Sequence, residues 1–234
     1  MVKCSPSIPL LLGAFALAAC NEASAPAEKI VEGAPAASGE APADIAVEGQ
    51  ERRILAFGDS LFAGYNLAEH EGYPERLEDA LREGGLNARV IDAGVSGDTT
   101  AAGRQRFGFV LDQAGETDLV VIELGGNDLL RNIQPEQTRA NLAAMIEEAQ
   151  SRDLPVLLMG MRAPPNYGPE FQAEFDAIYS GLAEEYDVAL VPFWLEGIYR
   201  DPSLFQSDRI HPTAEGIERL VADTADDVRA ALPG

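Results

Sequence analysis

The sequence is poor in positive charge and in residues that bind metals or form disulfides. Its 234 residues include 17 Lys and Arg but 39 Asp and Glu, for a formal net charge of -22. A surface this acidic repels phosphate backbones and anionic lipids, so nucleic-acid binding is disfavoured. Both cysteines lie in the first twenty residues and the two histidines are far apart, which excludes an internal disulfide in the rest of the chain and argues against a zinc site.

The N-terminus has the pattern of an export signal. Lys3 precedes an apolar run over residues 8–19, which has the length of a signal peptide and is too short to cross a bilayer. The run ends in Leu17-Ala18-Ala19-Cys20, which resembles the lipobox of bacterial lipoproteins, where the signal is cut before the cysteine and the thiol is lipidated. We therefore predict a lipoprotein signal peptide over residues 1–19 and lipidation of Cys20. Cleavage after Ala25, as in an ordinary secretory signal, is the alternative.

Residues 20–51 are predicted to form a disordered tether between this anchor and a folded domain. Ala, Pro, Glu and Gly dominate the segment, and residues 21–51 carry seven acidic residues against one Lys. We expect an exported protein, anchored as a lipoprotein facing the periplasm or, with the alternative cleavage, soluble in the periplasm or secreted.

From residue 52 to residue 234 the pattern is typical of one α/β domain. Short apolar runs at 54–57, 90–95, 119–124, 156–161 and 188–191 predict strands. Between and after them, apolar residues recur at helical spacing around Leu81, Ile146, Ile178 and Leu220. Buried strands that alternate with helices predict a parallel sheet joined by right-handed crossovers. The expected fold is a three-layer α/β/α sandwich of flavodoxin-like type with a sheet of about five strands.

Three polar, glycine-bearing turns follow the first three predicted strands. They are Gly58-Asp59-Ser60-Leu61, Ser96-Gly97-Asp98 and Gly125-Gly126-Asn127-Asp128, and Asp208 and His211 stand together much later. In a parallel sheet, ligands bind beyond the carboxyl ends of the strands, where these turns converge. Hydrolysis by a serine needs a nucleophile, a base, an orienting carboxylate and oxyanion donors, and all four residue types are present.

Ser60 is the favoured nucleophile, with Ser96 and Ser207 as alternatives. The first strand of such a sheet is usually central, and Gly97, next to Ser96, suits a backbone N–H donor that must approach an oxyanion closely. Asn127 offers a side-chain amide to the same oxyanion.

His211 is the favoured base because Asp208 can accept a hydrogen bond from its ring and fix its tautomer. His70 lies in a polar stretch and is interpreted as a solvated loop residue. Asp59, Asp98 and Asp128 are interpreted as residues that cap helices or brace turns.

These residues resemble the SGNH, or GDSL, hydrolase family, whose four sequence blocks are matched by Ser60, Gly97, Asn127 and His211 with Asp208. The surrounding runs are similar to those of the bacterial subgroup called arylesterase, acyl-CoA thioesterase I or lysophospholipase L1. The resemblance implies a catalytic triad of Ser60, Asp208 and His211. It also implies an oxyanion hole made by the Ser60 and Gly97 backbone amides and the Asn127 side chain.

The resemblance further implies hydrolysis of esters and thioesters of short- to medium-chain acyl groups through an acyl-serine intermediate. No cofactor or metal and no obligate protein partner is expected; the partners are a small acyl ester and, through the lipid anchor, a membrane. An apolar acyl groove is expected from loop residues that follow the first, third and fourth strands: Phe62, Tyr65, Leu67, Leu129, Leu130, Ile133, Ala163, Pro164 and Tyr167. Alternatives are a carbohydrate or peptidoglycan O-acetylesterase and a non-catalytic lipoprotein binding module. Retention of all five motif residues disfavours the binding module.

Overall fold

A computed structural model describes residues 45–234. The predicted signal peptide, Cys20 and most of the predicted tether lie outside the described residues. The last part of the tether lies against the domain: Arg82 Nε donates to the Ile45 carbonyl at 2.6 Å, and Asn87 Nδ2 donates to the Gly49 carbonyl at 2.9 Å. The chain is therefore held by the domain several residues before the first strand begins at Arg52.

The centre of the domain is one parallel sheet of five strands, as the apolar runs predict. The strands are β1 (Arg52–Gly58), β2 (Ala88–Gly94), β3 (Leu119–Glu123), β4 (Val156–Met159) and β5 (Ala189–Val191), in the spatial order β2-β1-β3-β4-β5. Strand β1 pairs with β2 on one side and β3 on the other, and Gly58 is in register with both Gly94 and Glu123. The turns that follow these three strands therefore begin at the same level of the sheet.

Within residues 45–234, six helices flank this sheet and complete the three-layer α/β/α sandwich. They are α1 (Tyr73–Glu83), α2 (Thr100–Ala114), α3 (Gly126–Leu130), α4 (Pro135–Gln150), α5 (Pro169–Tyr186) and α6 (Ala214–Ala231). Helix α1 packs on α6, while α4 packs on both α2 and α5. Three single helical turns are found at Glu69–Glu71, Pro165–Tyr167 and Pro202–Leu204. None of the helices within residues 45–234 combines the length and apolar content needed to cross a bilayer.

Helix α2 is the longest element that the apolar pattern did not predict; the short helix α3 is another. The buried face of α2 is formed by Thr100, Gly103, Phe107 and Leu111, so only two large apolar residues mark it, and Phe109 on the outside is 68% exposed. A Cβ at position 103 would lie 2.5 Å from Leu124 Cδ1. The glycine therefore lets the helix approach the sheet closely, and it removes the side chain that would have revealed the helical period.

Glu75, in the first turn of α1, links the stability of the fold to pH. The pKa of Glu75 is raised from 4.5 to about 7. Burial is the largest cause, and repulsion from Asp92, Glu69 and Glu78 adds to it. An acid with a raised pKa in the folded state favours folding less as pH rises, because ionisation is easier in the unfolded chain.

We predict that Glu75→Gln raises the melting temperature at pH 8 relative to the native protein, and that the gain shrinks as pH falls from 7 to 4.5. Thermal unfolding followed by circular dichroism checks this. Glu83→Gln changes the net charge equally at an exposed position at the end of the same helix and is the matched control. Equal effects of the two variants at every pH would contradict the assignment.

Candidate active site

Ser60, His211 and Asp208 form a continuous chain of hydrogen bonds. His211 Nε2 lies 2.9 Å from Ser60 Oγ, and His211 Nδ1 lies 2.7 Å from Asp208 Oδ2. Ser60 follows strand β1, which lies between β2 and β3 in the sheet, and is 9% exposed. The Tyr65 ring covers the imidazole, with ring centroids 4.3 Å apart. The three residues are thus held in the order nucleophile, base and orienting carboxylate, although Ser60 is 151 residues from His211 in the sequence.

The loop that carries Asp208 and His211 is tied to the Ser60 turn by Gln206. The Gln206 backbone N–H donates to the His211 carbonyl at 2.7 Å, and its side-chain amide donates to the carbonyls of Tyr65 at 2.7 Å and Pro212 at 2.9 Å. The bond to Tyr65 joins the loop after β5 to the turn after β1, and the other two hold the triad loop itself. Gln206 was missed by the sequence analysis, because its partners are backbone carbonyls distant in the sequence and leave no pattern.

Asp208 is stabilised as a carboxylate. Desolvation opposes ionisation, but hydrogen bonds from the His211 ring and from the backbone N–H groups of Ile210 and His211 outweigh it and lower the pKa of Asp208 to about 2. The two backbone bonds are 2.9 Å and 3.1 Å long and end on Oδ1, which leaves Oδ2 for the imidazole. The carboxylate is therefore ionised above pH 4 and can stabilise an imidazolium.

Asn127 is held over the nucleophile turn by Asp59. Asn127 Nδ2 donates to Asp59 Oδ2 at 2.9 Å, and the Leu61 N–H donates to Asp59 Oδ1 at 3.0 Å. Asp59 thus braces the turn, as expected, and in addition fixes the Asn127 amide, which the sequence analysis did not anticipate. The same carboxylate positions the nucleophile turn after β1 and the polar side chain after β3.

The Ser60 and Gly97 backbone N–H groups are available to an oxyanion. Neither of them donates to an acceptor within residues 45–234, and both residues line the same cavity as Asn127. Gly97 has φ of 86°, a left-handed conformation that favours glycine, and its carbonyl accepts a hydrogen bond from Arg131 Nη2 at 2.8 Å. The loop is therefore fixed through its carbonyl while its N–H is left free.

Glu123, at the end of β3, lies beneath this arrangement. The side chain has no exposed surface, and the Asp59 N–H points to its Oε2 at 3.4 Å. Burial is the main cause that raises the pKa of Glu123 well above its ordinary value, and repulsion from Asp59 adds to it. Burial raises the pKa of Asp59 as well, but hydrogen bonds from the Leu61 N–H and the Asn127 amide oppose that rise. We therefore place a proton on Glu123, which lets Asp59 carry the charge that these two donors stabilise. Glu123 lies within an apolar run of the sequence, so no local pattern marks it as a residue of the site.

The other acids that follow strands brace the structure, as expected. Asp128 accepts from the Thr100 backbone N–H at 2.8 Å and from the hydroxyl groups of Thr100 and Thr138 at 2.5 Å and 3.1 Å. Asp98 forms an ion pair with Arg106 at 2.6 Å, and Arg106 Nη2 donates to the carbonyl of Gly58 at 2.9 Å. The Asp128 contacts therefore tie the third turn to α2 and α4, and the Arg106 contacts tie the second turn to the end of β1.

The alternative residues lie apart from the hydrogen-bonded chain. Ser96 lines the cavity, but within residues 45–234 it makes no hydrogen bond to His211. Ser207 and His70 do not line the cavity, and His70 lies in the helical turn that precedes α1.

An apolar cavity of about 910 Å³ opens beside Ser60 and His211. Of the expected groove residues, five line it: Tyr65, Leu129, Leu130, Pro164 and Tyr167. Phe62 instead packs in the core against Tyr73 and Trp194, and Leu67, Ile133 and Ala163 are also absent from the lining. A wall that was not anticipated comes from the segments after β4 and β5 and the triad loop: Met161, Phe193, Leu195, Tyr199, Phe205 and Ile210.

This fold and this hydrogen-bonded serine define a serine hydrolase, and comparisons with known proteins give the family. Residues 56–219 match the model of the GDSL-like lipase/acylhydrolase family. The esterase TesA of Pseudomonas aeruginosa is 40% identical over 168 residues, which cover 72% of this chain and 83% of that protein. The thioesterase 1/protease 1/lysophospholipase L1 of Escherichia coli K12 is 38% identical over 170 residues, or 73% of this chain and 79% of that protein.

A solved structure extends the comparison. The crystal structure of AlinE4, an SGNH-hydrolase family esterase, is 58% identical, with a TM-score of 0.68 and coverage of 80% of this chain and 100% of that one. The chain belongs to the GDSL-like lipase/acylhydrolase family. It is a carboxylic ester hydrolase of the SGNH type.

We predict that Asp59→Ala lowers kcat for a chromogenic ester about 100-fold with little change in KM, because the Asn127 amide loses its anchor and one oxyanion donor is misplaced. Asn127→Ala should have a similar effect. The double variant should be hardly worse than Asp59→Ala alone, since loss of Asp59 already misplaces the Asn127 amide. Steady-state kinetics of the three variants measure this, and fully additive losses would show that Asp59 does not act through Asn127.

Proposed function

We propose that the chain hydrolyses esters of short- to medium-chain acyl groups through an acyl-enzyme intermediate on Ser60. The observation that carries this proposal is the chain of hydrogen bonds from Ser60 through His211 to Asp208. An apolar cavity of about 910 Å³ lies beside Ser60 and His211. The nucleophile is thereby placed next to space for an acyl chain. Catalytic roles for Ser60, His211 and Asp208 follow from this geometry.

In the first half of the reaction, Ser60 Oγ attacks the carbonyl carbon of the ester while His211 Nε2 takes the hydroxyl proton. The resulting oxyanion is stabilised by three donors: the Ser60 and Gly97 backbone N–H groups and the Asn127 side-chain amide. Asp208 holds the imidazole in the correct tautomer and stabilises its positive charge. Collapse of the tetrahedral intermediate breaks the bond to the leaving oxygen, which receives the proton from His211.

In the second half, His211 takes a proton from water as the water attacks the acyl-enzyme. The second tetrahedral intermediate releases the carboxylic acid and returns the proton to Ser60 Oγ. A thioester can follow the same path, since a thiolate leaves more easily than an alkoxide. The names of the esterase and thioesterase relatives support both activities.

A sugar-ester substrate receives less support from the site. Trp194 is the only tryptophan in the sequence, is 1% exposed, and packs its ring against Phe62 and Tyr73 in the core. It therefore offers no surface on which a sugar ring could stack. The largely apolar cavity favours an acyl chain over a carbohydrate.

Ser60→Ala is predicted to lower kcat for p-nitrophenyl butyrate and decanoate at least 1,000-fold, because no other nucleophile is hydrogen-bonded to His211 within the described part of the chain. His211→Ala should lose as much, whereas Asp208→Ala should retain more activity. Ser96→Ala is the matched control, since Ser96 lines the same cavity without a bond to His211. Near-normal turnover by Ser60→Ala, or a comparable loss in Ser96→Ala, would refute the proposed nucleophile.

We also propose that the protein is exported and anchored through a lipid on Cys20, so that the hydrolase works beside a membrane facing the periplasm. Support comes from the apolar run over residues 8–19 and from the Leu17-Ala18-Ala19-Cys20 motif. The acidic chain needs a covalent anchor to remain at an anionic surface.

Cys20→Ser is predicted to move the protein from the membrane fraction to the soluble fraction of cells without changing its turnover of a soluble ester. Fractionation and immunoblotting measure the distribution. Cys4→Ser is the control, because Cys4 lies before the apolar run. Membrane association that persists in Cys20→Ser would contradict lipidation at this residue.

A further inference from the structure

Glu123 is a buried acid at a position that favours an apolar residue. It is the last residue of β3, and every side chain over residues 120–124 is at most 1% exposed. An apolar side chain of similar volume generally stabilises such a position as well as a buried acid does, or better. The stability of the sheet therefore does not explain this glutamate, and the catalytic steps described above do not use it.

Glu123 contacts both the backbone and the side chain of Asp59, the residue directly before the nucleophile. Its Oε2 accepts from the Asp59 N–H at 3.4 Å, and the two side chains are hydrogen-bonded to each other. A hydrogen bond between two carboxyl groups requires a proton on one of them, because an ionised carboxylate can only accept. The pair therefore holds a proton.

The hydrogen bonds around the pair place this proton on Glu123. Its Oε1 is buried and receives no hydrogen bond from any donor within residues 45–234, which is expected of the oxygen that carries the proton. Asp59 differs, because the Leu61 N–H and the Asn127 amide both donate to its carboxylate and favour the ionised form. Glu123 is thus the donor and Asp59 the acceptor.

The groups that pack against the pair supply no other donor for Glu123. Tyr179 on α5 is buried beside it, but the Tyr179 hydroxyl donates to the Leu124 carbonyl at 2.8 Å. Burial is the main cause that raises the pKa of Tyr179 well above its ordinary value, and the charges of nearby acids, including Asp128 and Asp176, add to it. Glu123 itself forms no ion pair within the described part of the chain. A proton is therefore the means by which its charge is neutralised.

We propose that Glu123 is a positioning residue that acts through Asp59 on the oxyanion donor Asn127. The Glu123 proton bonds to the Asp59 carboxylate, and that carboxylate holds Asn127 Nδ2 at 2.9 Å. The second N–H of the Asn127 amide is left for the oxyanion. This inference rests on the proposed function, since it gives Glu123 a part in stabilising the tetrahedral intermediates without contact with the substrate.

The proton matters because it leaves one negative charge beneath the oxyanion hole. Two ionised carboxylates in contact would repel each other and displace Asp59 from Asn127. With the proton in place, that repulsion is absent and Asp59 gains a third donor. The Asn127 amide is thereby held by a buried pair of acids that share one charge.

Two substitutions separate the proton from the shape of the side chain. Glu123→Met keeps an unbranched side chain but removes the donor, and it is expected to lower kcat for p-nitrophenyl butyrate about tenfold at unchanged KM, in keeping with loss of a hydrogen bond to a charged group. Glu123→Gln should retain most of kcat, because its amide donates to Asp59 and its carbonyl accepts the Asp59 N–H. Thr224→Val removes a buried hydrogen-bonding group of α6, far from the pair in the sequence, and controls for a general loss of stability.

A double variant tests whether Glu123 acts through Asn127. Glu123→Met combined with Asn127→Ala should be hardly worse than Asn127→Ala alone, because the donor that Glu123 positions is already gone. Thr224→Val combined with Asn127→Ala should show only the loss of Asn127→Ala. Steady-state kinetics give kcat and KM for each variant, and circular dichroism shows that each one is folded.

The proton can also be observed in the infrared spectrum, where the carbonyl band of a protonated carboxyl is separate from the bands of a carboxylate. At pH 8.5, the difference spectrum of the native protein minus Glu123→Gln should contain this band. Glu75→Gln removes the other acid whose pKa is raised, to about 7, and should leave the band in place.

The outcomes separate this role from the hydrolase itself. Full kcat in a folded Glu123→Met variant, or additive losses in the double variant with Asn127→Ala, would overturn the positioning role. A kcat of Glu123→Gln as low as that of Glu123→Met, or a difference spectrum without the carboxyl band, would overturn it too, and these two measurements decide the question if Glu123→Met does not fold. In each case, ester hydrolysis by the native protein leaves the proposed function standing. Absence of hydrolysis by the native protein would overturn the proposed function and the role of Glu123 with it.

Discussion

The buried carboxylate of Asp59 is the constraint on which the geometry of the site depends. One oxygen accepts from the Leu61 N–H in the nucleophile turn, and the other accepts from the Asn127 amide. A buried carboxylate is unfavourable unless donors surround it, so the turns after β1 and β3 must keep their relative positions. The register between Gly58 and Glu123 places those turns side by side. The attacking oxygen and one oxyanion donor are thus located by a single group.

The two halves of the site are built differently. Asp59, Glu123 and Asn127 belong to the ends of central strands, where a protonated Glu123 beneath an ionised Asp59 avoids two adjacent buried charges. His211 and Asp208 lie on a more exposed loop after β5, which is held by hydrogen bonds from Gln206 and from its own backbone. The nucleophile and oxyanion donors therefore lie just beyond the carboxyl ends of three neighbouring strands, while the base is supplied by a loop that also lines the cavity.

The parts of the fold and site that could be predicted are those with a local signature. The apolar runs marked all five strands, and parallel pairing then brought the turns of Ser60, Gly97 and Asn127 to one edge. Glu123 and Gln206 left no such signature, because their roles depend on partners far away in the sequence. Phe62 was expected in the groove but packs in the core, since sequence proximity to the nucleophile does not fix the direction of a side chain. The wall formed by Phe193, Tyr199 and neighbouring residues likewise depends on tertiary packing.

The central claim is that Ser60 attacks within an oxyanion hole formed by the Ser60 and Gly97 backbone amides and the Asn127 side chain. A crystal structure of the protein inactivated by an alkyl phosphonate tests this most directly, because the tetrahedral phosphorus mimics the intermediate. The account predicts a phosphorus bonded to Ser60 Oγ, with one phosphoryl oxygen about 2.7 to 3.1 Å from each of the three donors. Phosphorus on another serine, or a phosphoryl oxygen directed away from Gly97 and Asn127, would contradict it.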